Sequence, residues 1–563
     1  MNSKFLSALF LAGLMLSVVP SNAATLPDEP KEIPGPYKPS WDSLASQYQC
    51  PAWFRDAKFG IWAHWSAQCV PEMGDWYAQN MYHEGSPDYL FHTARYGHPS
   101  QFGFKDIYPL WRAENWDPEK MMALYKRAGA KYFMALANHH DNFDSWNSKY
   151  QPWNSVAIGP KRDIVGDWEK AARAAGLKFA VSVHGSHTYN WMEACQGADK
   201  NGSKAGVPYD GKLTKADGKG KWWEGLDPQD LYCQNHKPNL PWQSGKPFWT
   251  WDVKHGSTVP DAAYCQKFYN RVMDLITTYK PDMVYFDDSI LPLYQVDPKV
   301  GLDIAANYYN SSVQWNNGTN EAVLTGKDLD DQQRHAIVFD MERGKSDKIL
   351  PFPWQTDTCI GDWHYRRTLF ERHEYKTPEM VIEMLVDIVS KNGNLMLNIP
   401  VRGDGSIDDD EVAFLGAMGD WFQVNGEGIY GTRPWKVYGE GKIEKKAGNF
   451  NERAFKAYGA DEVRFTTKGN TLYAFVFATN PDNTVVIRTL GSGEKGIVGD
   501  ITAIHLLGSD EKIEFARKPE GLVVTLPSKK PCDHAWCLKI EGLDLEASKP
   551  KIFHTGAEGK EIE

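Results

Sequence analysis

The stretch DPEKMMALYKRAGAKYFMALANHHD (117–141) holds one complete repeat of an α/β pattern. Asp117 stands in the capping position of a helix, Pro118 in its first turn, with a Glu directly after. Amphipathic spacing then continues to Gly129. The apolar run YFMALA (132–137) has strand length, and it stops in four polar residues, Asn138, His139, His140 and Asp141. A helix, a buried strand and a costly polar strand end therefore follow one another within 25 residues.

The same unit recurs on both sides. Further apolar strands are expected at 58–64 (KFGIWAH), 178–183 (KFAVSV), 283–287 (MVYFD), 336–339 (AIVF) and 394–399 (NLMLNI). Helical patterns cover 163–175, closed by Gly176, and also 262–279 and 377–390. Strand–helix alternation from 41 to 435 implies a parallel sheet covered by helices. The simplest closed form is a (β/α)8-like TIM barrel, class α/β, with a doubly wound sheet as the alternative. Six strands are legible, so one or two are degenerate. A long polar insert spans about 195–260 and includes GKGKWWEGLDPQDLYCQNH. After about 440 the pattern changes to short strands at 471–478, 483–490, 501–507, 512–516, 521–526 and 535–540. These predict an all-β sandwich domain over 440–545, followed by a polar tail, 546–563.

The N-terminus reads as an address. Lys4, the largely apolar run 5–19 and Ser21-Asn22-Ala23 predict a secretory signal over 1–24, followed by a Pro-rich linker, 25–40. The run is too short for a good membrane span. The expectation is an exported protein, periplasmic or extracellular, without stable membrane insertion once the signal is cleaved. Eight cysteines in 563 residues exclude a disulfide scaffold; Cys195/Cys233 and Cys532/Cys537 are candidate pairs. A hydrophobic fraction of 42% excludes a disordered chain. With 73 acidic against 62 basic residues, the net charge of −11 argues against nucleic acid as a partner.

Function is read from where the polar residues fall. Five expected strands run into residues that are expensive to bury: His64, the group 138–141, His184, Asp287-Asp288 and 340–343. In a barrel these ends gather on one face, where catalysis is found. Two carboxylates from separate strands, Asp287 and Glu342, suit glycoside hydrolysis, one as nucleophile and the other as acid and then base. The structural alternatives are a turn cap at Asp288 and an ion pair between Glu342 and Arg343. A divalent metal held by His64, His139, His140, His184 and Asp287 is the chemical rival. No HxH or HExxH supports it, and adjacent His139 and His140 on a strand would face opposite ways. Neither a metal nor a cofactor is expected.

Four blocks carry a family likeness: WFRDAKFGIWAHWSAQCVPEMGDWYAQNMY (53–82), NHHDNFDSWNSKYQPWNSVAIGPKRDIVGDWEKAARAAGLKFAVSVH (138–184), PDMVYFDD (281–288) and KNGNLMLNIPVRGDGSID (391–408). Over about 45–435 the chain resembles glycoside hydrolase family 29, the α-L-fucosidases. The resemblance implies a (β/α)8-like barrel with a C-terminal β-sandwich, and retaining exo-hydrolysis of a fucosylated oligosaccharide or glycoconjugate. It implies Asp287 as nucleophile and Glu342, before the PWQTDTC segment (353–359), as acid/base, with Asp357 as runner-up. It places His64, Trp76, His139 and His140 around fucose and Tyr285 beside the sugar ring; His184 and His187 are given a lining role only. Ser66 and Asn142 stand where the family commonly has Gly, and Gln355 where it commonly has Glu. The insert, with Trp222, Trp223, Trp242, Trp249 and Trp251, is either an aromatic lid or a packed loop. Two rival functions remain, a non-catalytic carbohydrate-binding protein on this scaffold and a metal-dependent hydrolase.

Overall fold

The computed structural model describes residues 30–238, 258–441, 447–452 and 457–547. Eight parallel strands close into a barrel in chain order. They are β1 (Phe59–Ala63), β2 (Tyr132–Asn138), β3 (Lys178–Val183), β4 (Met283–Phe286), β5 (Val323–Gly326), β6 (Val338–Glu342), β7 (Trp354–Cys359) and β8 (Gly393–Asn398). The seam is the β1–β8 pair, with Ile61 opposite Leu397.

Two of these strands, β5 and β7, were not among the six expected. β5 is only VLTG, too short to show a period. β7 is WQTDTC, in which Gln355 and Asp357 turn into the barrel. There Tyr132 donates to Gln355 Oε1 at 3.0 Å, and Gln355 Nε2 donates to Asp340 Oδ1 at 2.9 Å. The expected strand at 336–339 is displaced: Ala336 ends a short helical turn, and β6 runs on through Glu342. The remaining interior is apolar, filled by Trp62, Tyr132, Met134, Met283, Val323 and Met396.

Helices cover the outside. Pro118–Arg127 starts as expected, with the Asp117 side chain accepting from the Lys120 amide. Ile164–Ala174, Ala262–Tyr279, Pro298–Trp315, Pro378–Ser390 and Asp409–Asn425 bury their inner faces against the strands. Among the described residues no helix is long and apolar enough to cross a membrane. The part of the Pro-rich stretch that is described is docked rather than a free linker. Asn307 and Asn310 of the helix Pro298–Trp315 bond the backbone of Ile33 and Tyr37, and Tyr37 is buried. The expected signal, 1–24, lies outside the described residues, as does the tail from 548.

The C-terminal domain is a sandwich of two antiparallel sheets. Its strands are β9 (Arg433–Glu440), β10 (Val463–Lys468), β11 (Thr471–Val476), β12 (Thr484–Ile487), β13 (Gly499–Leu506), β14 (Glu514–Lys518), β15 (Gly521–Thr525) and β16 (Trp536–Leu543). One sheet has the order β13-β16-β11-β10-β9 and the other β12-β15-β14. β9 and β10 were not expected, and β9 begins inside the range assigned to the barrel. It is an edge strand, where Pro434 is tolerated. A buried ion triad fastens the sandwich to the barrel. Arg464 of β10 reaches Asp387 at 2.7 Å, and Lys391 reaches the same carboxylate at 2.6 Å. All eight cysteines are free thiols, so neither candidate disulfide is present. Cys233 instead accepts from Asn142, and the Cys532 thiol donates to the carbonyl of His534.

Candidate active site

The C-terminal ends of the barrel strands converge on a cavity of about 710 Å³. His64 follows β1, His139 and His140 follow β2, His184 follows β3, Asp287 follows β4 and Lys327 follows β5. Glu342 closes β6, and its register partner on β7 is Asp357. Parallel pairing and a two-residue side-chain period thus place these groups on one face.

Asp287 is held from three sides. Its Oδ2 lies 3.2 Å from His140 Nε2 and 3.2 Å from His184 Nδ1. Its Oδ1 accepts from the Lys327 ammonium at 2.9 Å. Burial alone would raise this carboxyl, but the Lys327 charge and the two histidine bonds override it and hold the group well below the usual range. His184, pushed down to about 4 chiefly by burial, is a neutral donor, and its Nε2 has no hydrogen-bond partner among the described residues.

Glu342 has the opposite balance. Its Oε2 lies 2.6 Å from Lys327. Burial and the charges of Asp287 and Asp357 outweigh that contact and push the carboxyl up to about 7. Two carboxylates of one cluster are therefore driven apart, one ionised and one protonated near neutrality, as an acid and a nucleophile require. Asp357, the runner-up, is fully buried and accepts from the Tyr285 hydroxyl at 3.0 Å. Burial and Asp340 raise it well above the ordinary value. Both carboxyls border the cavity, but the Glu342 side chain retains 18% exposure where Asp357 has none, so Glu342 is the more accessible of the two.

The expected sugar-facing residues gather here too. His64, Trp76, His139 and Tyr285 line the cavity, and His140 reaches it through Asp287. His139 and His140 do not diverge as adjacent strand residues would. β2 ends at Asn138, after a register shift against β3 that re-aims the chain. Gln68 Nε2 fixes His139 through Nδ1 at 2.7 Å. Among the described residues neither ring nitrogen of His64 has a hydrogen-bond partner, and burial holds His64 and His139 well below their ordinary values. Trp76 takes a left-handed backbone (φ 65), an uncommon conformation for a bulky residue. Two triads, His64–His139–His364 and His139–His140–His184, each bring nitrogens within 4.8 Å, close enough to share one ion. Imidazoles whose pKa is lowered by burial, as in His64, His139 and His184, equally suit sugar hydroxyls.

Lys327, Trp363, Asp75 and the segment Asn449–Glu452 also border the cavity but were not anticipated. The rule that found the histidines would have found Lys327, had the four-residue β5 been recognised. The departures from family pattern have local causes. Asn142 has φ 69, which Asn tolerates better than other residues with a side chain. Its Nδ2 donates to the carbonyls of Asp230 and Leu231 and so ties the insert to the barrel. Ser66 caps the short turn Ala67–Cys69. Gln355 belongs to the internal polar network. The described part of the insert, to 238, is a packed loop. Trp223 is buried, Trp222 donates to Asp106, and none of its residues lines the cavity. Trp242, Trp249 and Trp251 lie outside the described residues.

A family model described as alpha-L-fucosidase matches residues 24–427, and one described as the alpha-L-fucosidase C-terminal domain matches 458–541. The chain is 27% identical over 527 residues to human tissue alpha-L-fucosidase, covering 91% of this chain and 93% of that one. It is 26% identical over 515 residues to human plasma alpha-L-fucosidase, covering 90% and 92%. Among solved structures it resembles the alpha-fucosidase of Thermotoga maritima in complex with fucose. That match has 26% identity and a TM-score of 0.63, covering 90% of this chain and 100% of the other. The same enzyme in complex with a mechanism-based inhibitor matches with a TM-score of 0.65, covering 90% and 99%.

Proposed function

The chain belongs to glycoside hydrolase family 29, the α-L-fucosidases, and from that premise we propose that it is a retaining exo-glycosidase releasing α-L-fucose from fucosylated glycans. The observation that carries the mechanism is the shared ammonium of Lys327. It lies 2.9 Å from Asp287 Oδ1 and 2.6 Å from Glu342 Oε2, so those oxygens are at most 5.5 Å apart. Double displacement uses carboxyls about 5–5.5 Å apart, whereas inversion needs about 6.5–9.5 Å to admit a water.

In the first step ionised Asp287 attacks the anomeric carbon while protonated Glu342 gives its proton to the leaving oxygen. The resulting ester has no charge on Asp287. Glu342 then loses one of the charges that raise its pKa and becomes the base that takes a proton from the incoming water. Water adds at the anomeric carbon, the ester bond breaks, and fucose leaves with its configuration retained. The neutral histidines hold the sugar hydroxyls, and the aromatic faces of Trp62, Tyr285 and Trp363 give the C5 methyl an apolar wall. We further propose that residues 1–24 export the chain to the periplasm or medium.

The test is hydrolysis of an aryl α-L-fucoside by wild type beside Asp287→Ala and Glu342→Ala. Turnover is expected to vanish in the first variant. Azide is expected to rescue the second with formation of α-L-fucosyl azide, the configuration that double displacement retains. Full activity in Asp287→Ala would remove Asp287 from the mechanism.

A further inference from the structure

The cavity rim includes a residue supplied by the chain after β9, beyond the barrel. Phe450 is 65% exposed, the most exposed large apolar side chain among the described residues. It borders the catalytic cavity and makes no ring–ring contact among them. An aromatic ring exposed at the mouth of a site built from carboxylates and imidazoles is placed to meet the C–H face of a ligand in that site.

Its position is set with care. Residues 448–452 run alongside 342–345, with one antiparallel bridge between Lys345 and Gly448. The Gly448 amide donates to the Lys345 carbonyl at 3.1 Å, Phe450 to Glu342 at 2.8 Å and Glu452 to Arg343 at 3.0 Å. The two backbones approach so closely that a Cβ on Gly344 would fall 2.1 Å from the Gly448 carbonyl oxygen, and Gly448 itself has φ +114. Glu452 is buried and anchors this segment through Arg343 at 2.6 Å and Lys376 at 3.3 Å. Phe450 is held at φ 55, a left-handed conformation that costs a bulky residue on the order of 1–3 kcal/mol. Such a conformation persists only where its surroundings impose it.

Phe450 hydrogen-bonds to the backbone of Glu342, the proposed acid. An acid that protonates the glycosidic oxygen must lie on the leaving-group side of the scissile bond. We propose that Phe450 is the platform for the sugar on that side: a pyranose whose C–H face stacks on the ring, with its hydroxyls turned toward the polar rim of Asn449 and Asp328. The enzyme then prefers fucose linked to a pyranose over fucose linked to a small alkyl group. This inference rests on the fucosidase reading and on Glu342 as acid.

The experiment compares kcat/KM for a fucosyl-hexose disaccharide with kcat/KM for methyl α-L-fucoside, which has no ring beyond the glycosidic oxygen. Wild type, Phe450→Ala and Phe450→Trp are measured side by side. The ratio of the two constants is expected to fall about tenfold in Phe450→Ala, corresponding to about 1.4 kcal/mol of lost transition-state contact, and to be kept in Phe450→Trp. A general folding defect lowers both substrates and cancels in the ratio. An unchanged ratio in Phe450→Ala overturns the platform while leaving the fucosidase reading intact. No release of fucose from either substrate by wild type overturns the fucosidase reading itself.

Discussion

Lys327 touches Glu342 through a 2.6 Å contact in a pocket where its side chain is only 9% exposed, and yet Glu342 is raised toward neutrality. A buried ammonium beside an acid normally strips its proton. Here the same ammonium also serves Asp287, whose charge raises Glu342. The three groups therefore titrate as one unit, with a single positive charge supporting the proposed nucleophile and restraining the proposed acid.

Removing that charge has a signed consequence. In Lys327→Met both carboxyls lose a stabiliser of their ionised form, so both pKa values rise. The acidic and the basic limbs of the kcat/KM profile are expected to move to higher pH, and the maximum to fall about a hundredfold, the scale of losing one preorganised electrostatic contact. Lys327→Arg keeps the charge and is expected to move the limbs less. Limbs that stay in place in Lys327→Met would detach the lysine from both carboxyls.

The wild-type pH profile follows from the two shifts. Glu342 must be protonated to donate, so activity is lost as pH rises through about 7. Asp287 must be ionised, and its depressed pKa keeps it so through the ordinary carboxylate range, placing the acidic limb well below neutrality. The profile of kcat/KM reports these groups in the free enzyme. A basic limb that persists in Glu342→Gln, measured on a substrate with an activated leaving group, would assign it to another residue.

Chelation separates the histidines' two chemistries. If His64, His139 and His184 hold sugar hydroxyls, dialysis against EDTA leaves aryl fucoside turnover unchanged. Loss of turnover that a divalent ion restores would favour the metal-dependent alternative, with the His64–His139–His364 triad as its site.

Stability should hinge on the domain joint. Arg464→Met leaves Asp387 with Lys391 as its only ion-pair partner among the described residues. Breaking a buried ion network from one side costs about 3–5 kcal/mol. Chemical unfolding is expected to shift by that order. A shift under about 0.5 kcal/mol, typical of a surface substitution, would mean that the triad does not hold the domains together.

Much of this site could be read from strand ends. His64, His139, His140, Asp287 and Glu342 stand where apolar runs turn polar, and in a parallel barrel such positions converge. What stayed hidden had specific causes. Lys327 follows a strand of four residues, too short to register as a period. β7 keeps Gln355 and Asp357 inside the barrel, where Tyr132 and Asp340 bond Gln355 and Tyr285 bonds Asp357, so it lacks the apolar look of its neighbours. β9 carries Pro and charge on a sheet edge. Phe450 and Glu452 reach the site from far along the chain, and no local pattern announces a contact made only by tertiary folding.

The stereochemistry of release is the most direct measurement. Proton NMR during hydrolysis of an aryl α-L-fucoside should show α-L-fucose as the first product, with the β-anomer appearing only later by mutarotation. That result is what Asp287 and Glu342 sharing one ammonium predict. β-L-Fucose as the first product would mean that water attacks directly, and the double-displacement account would be wrong.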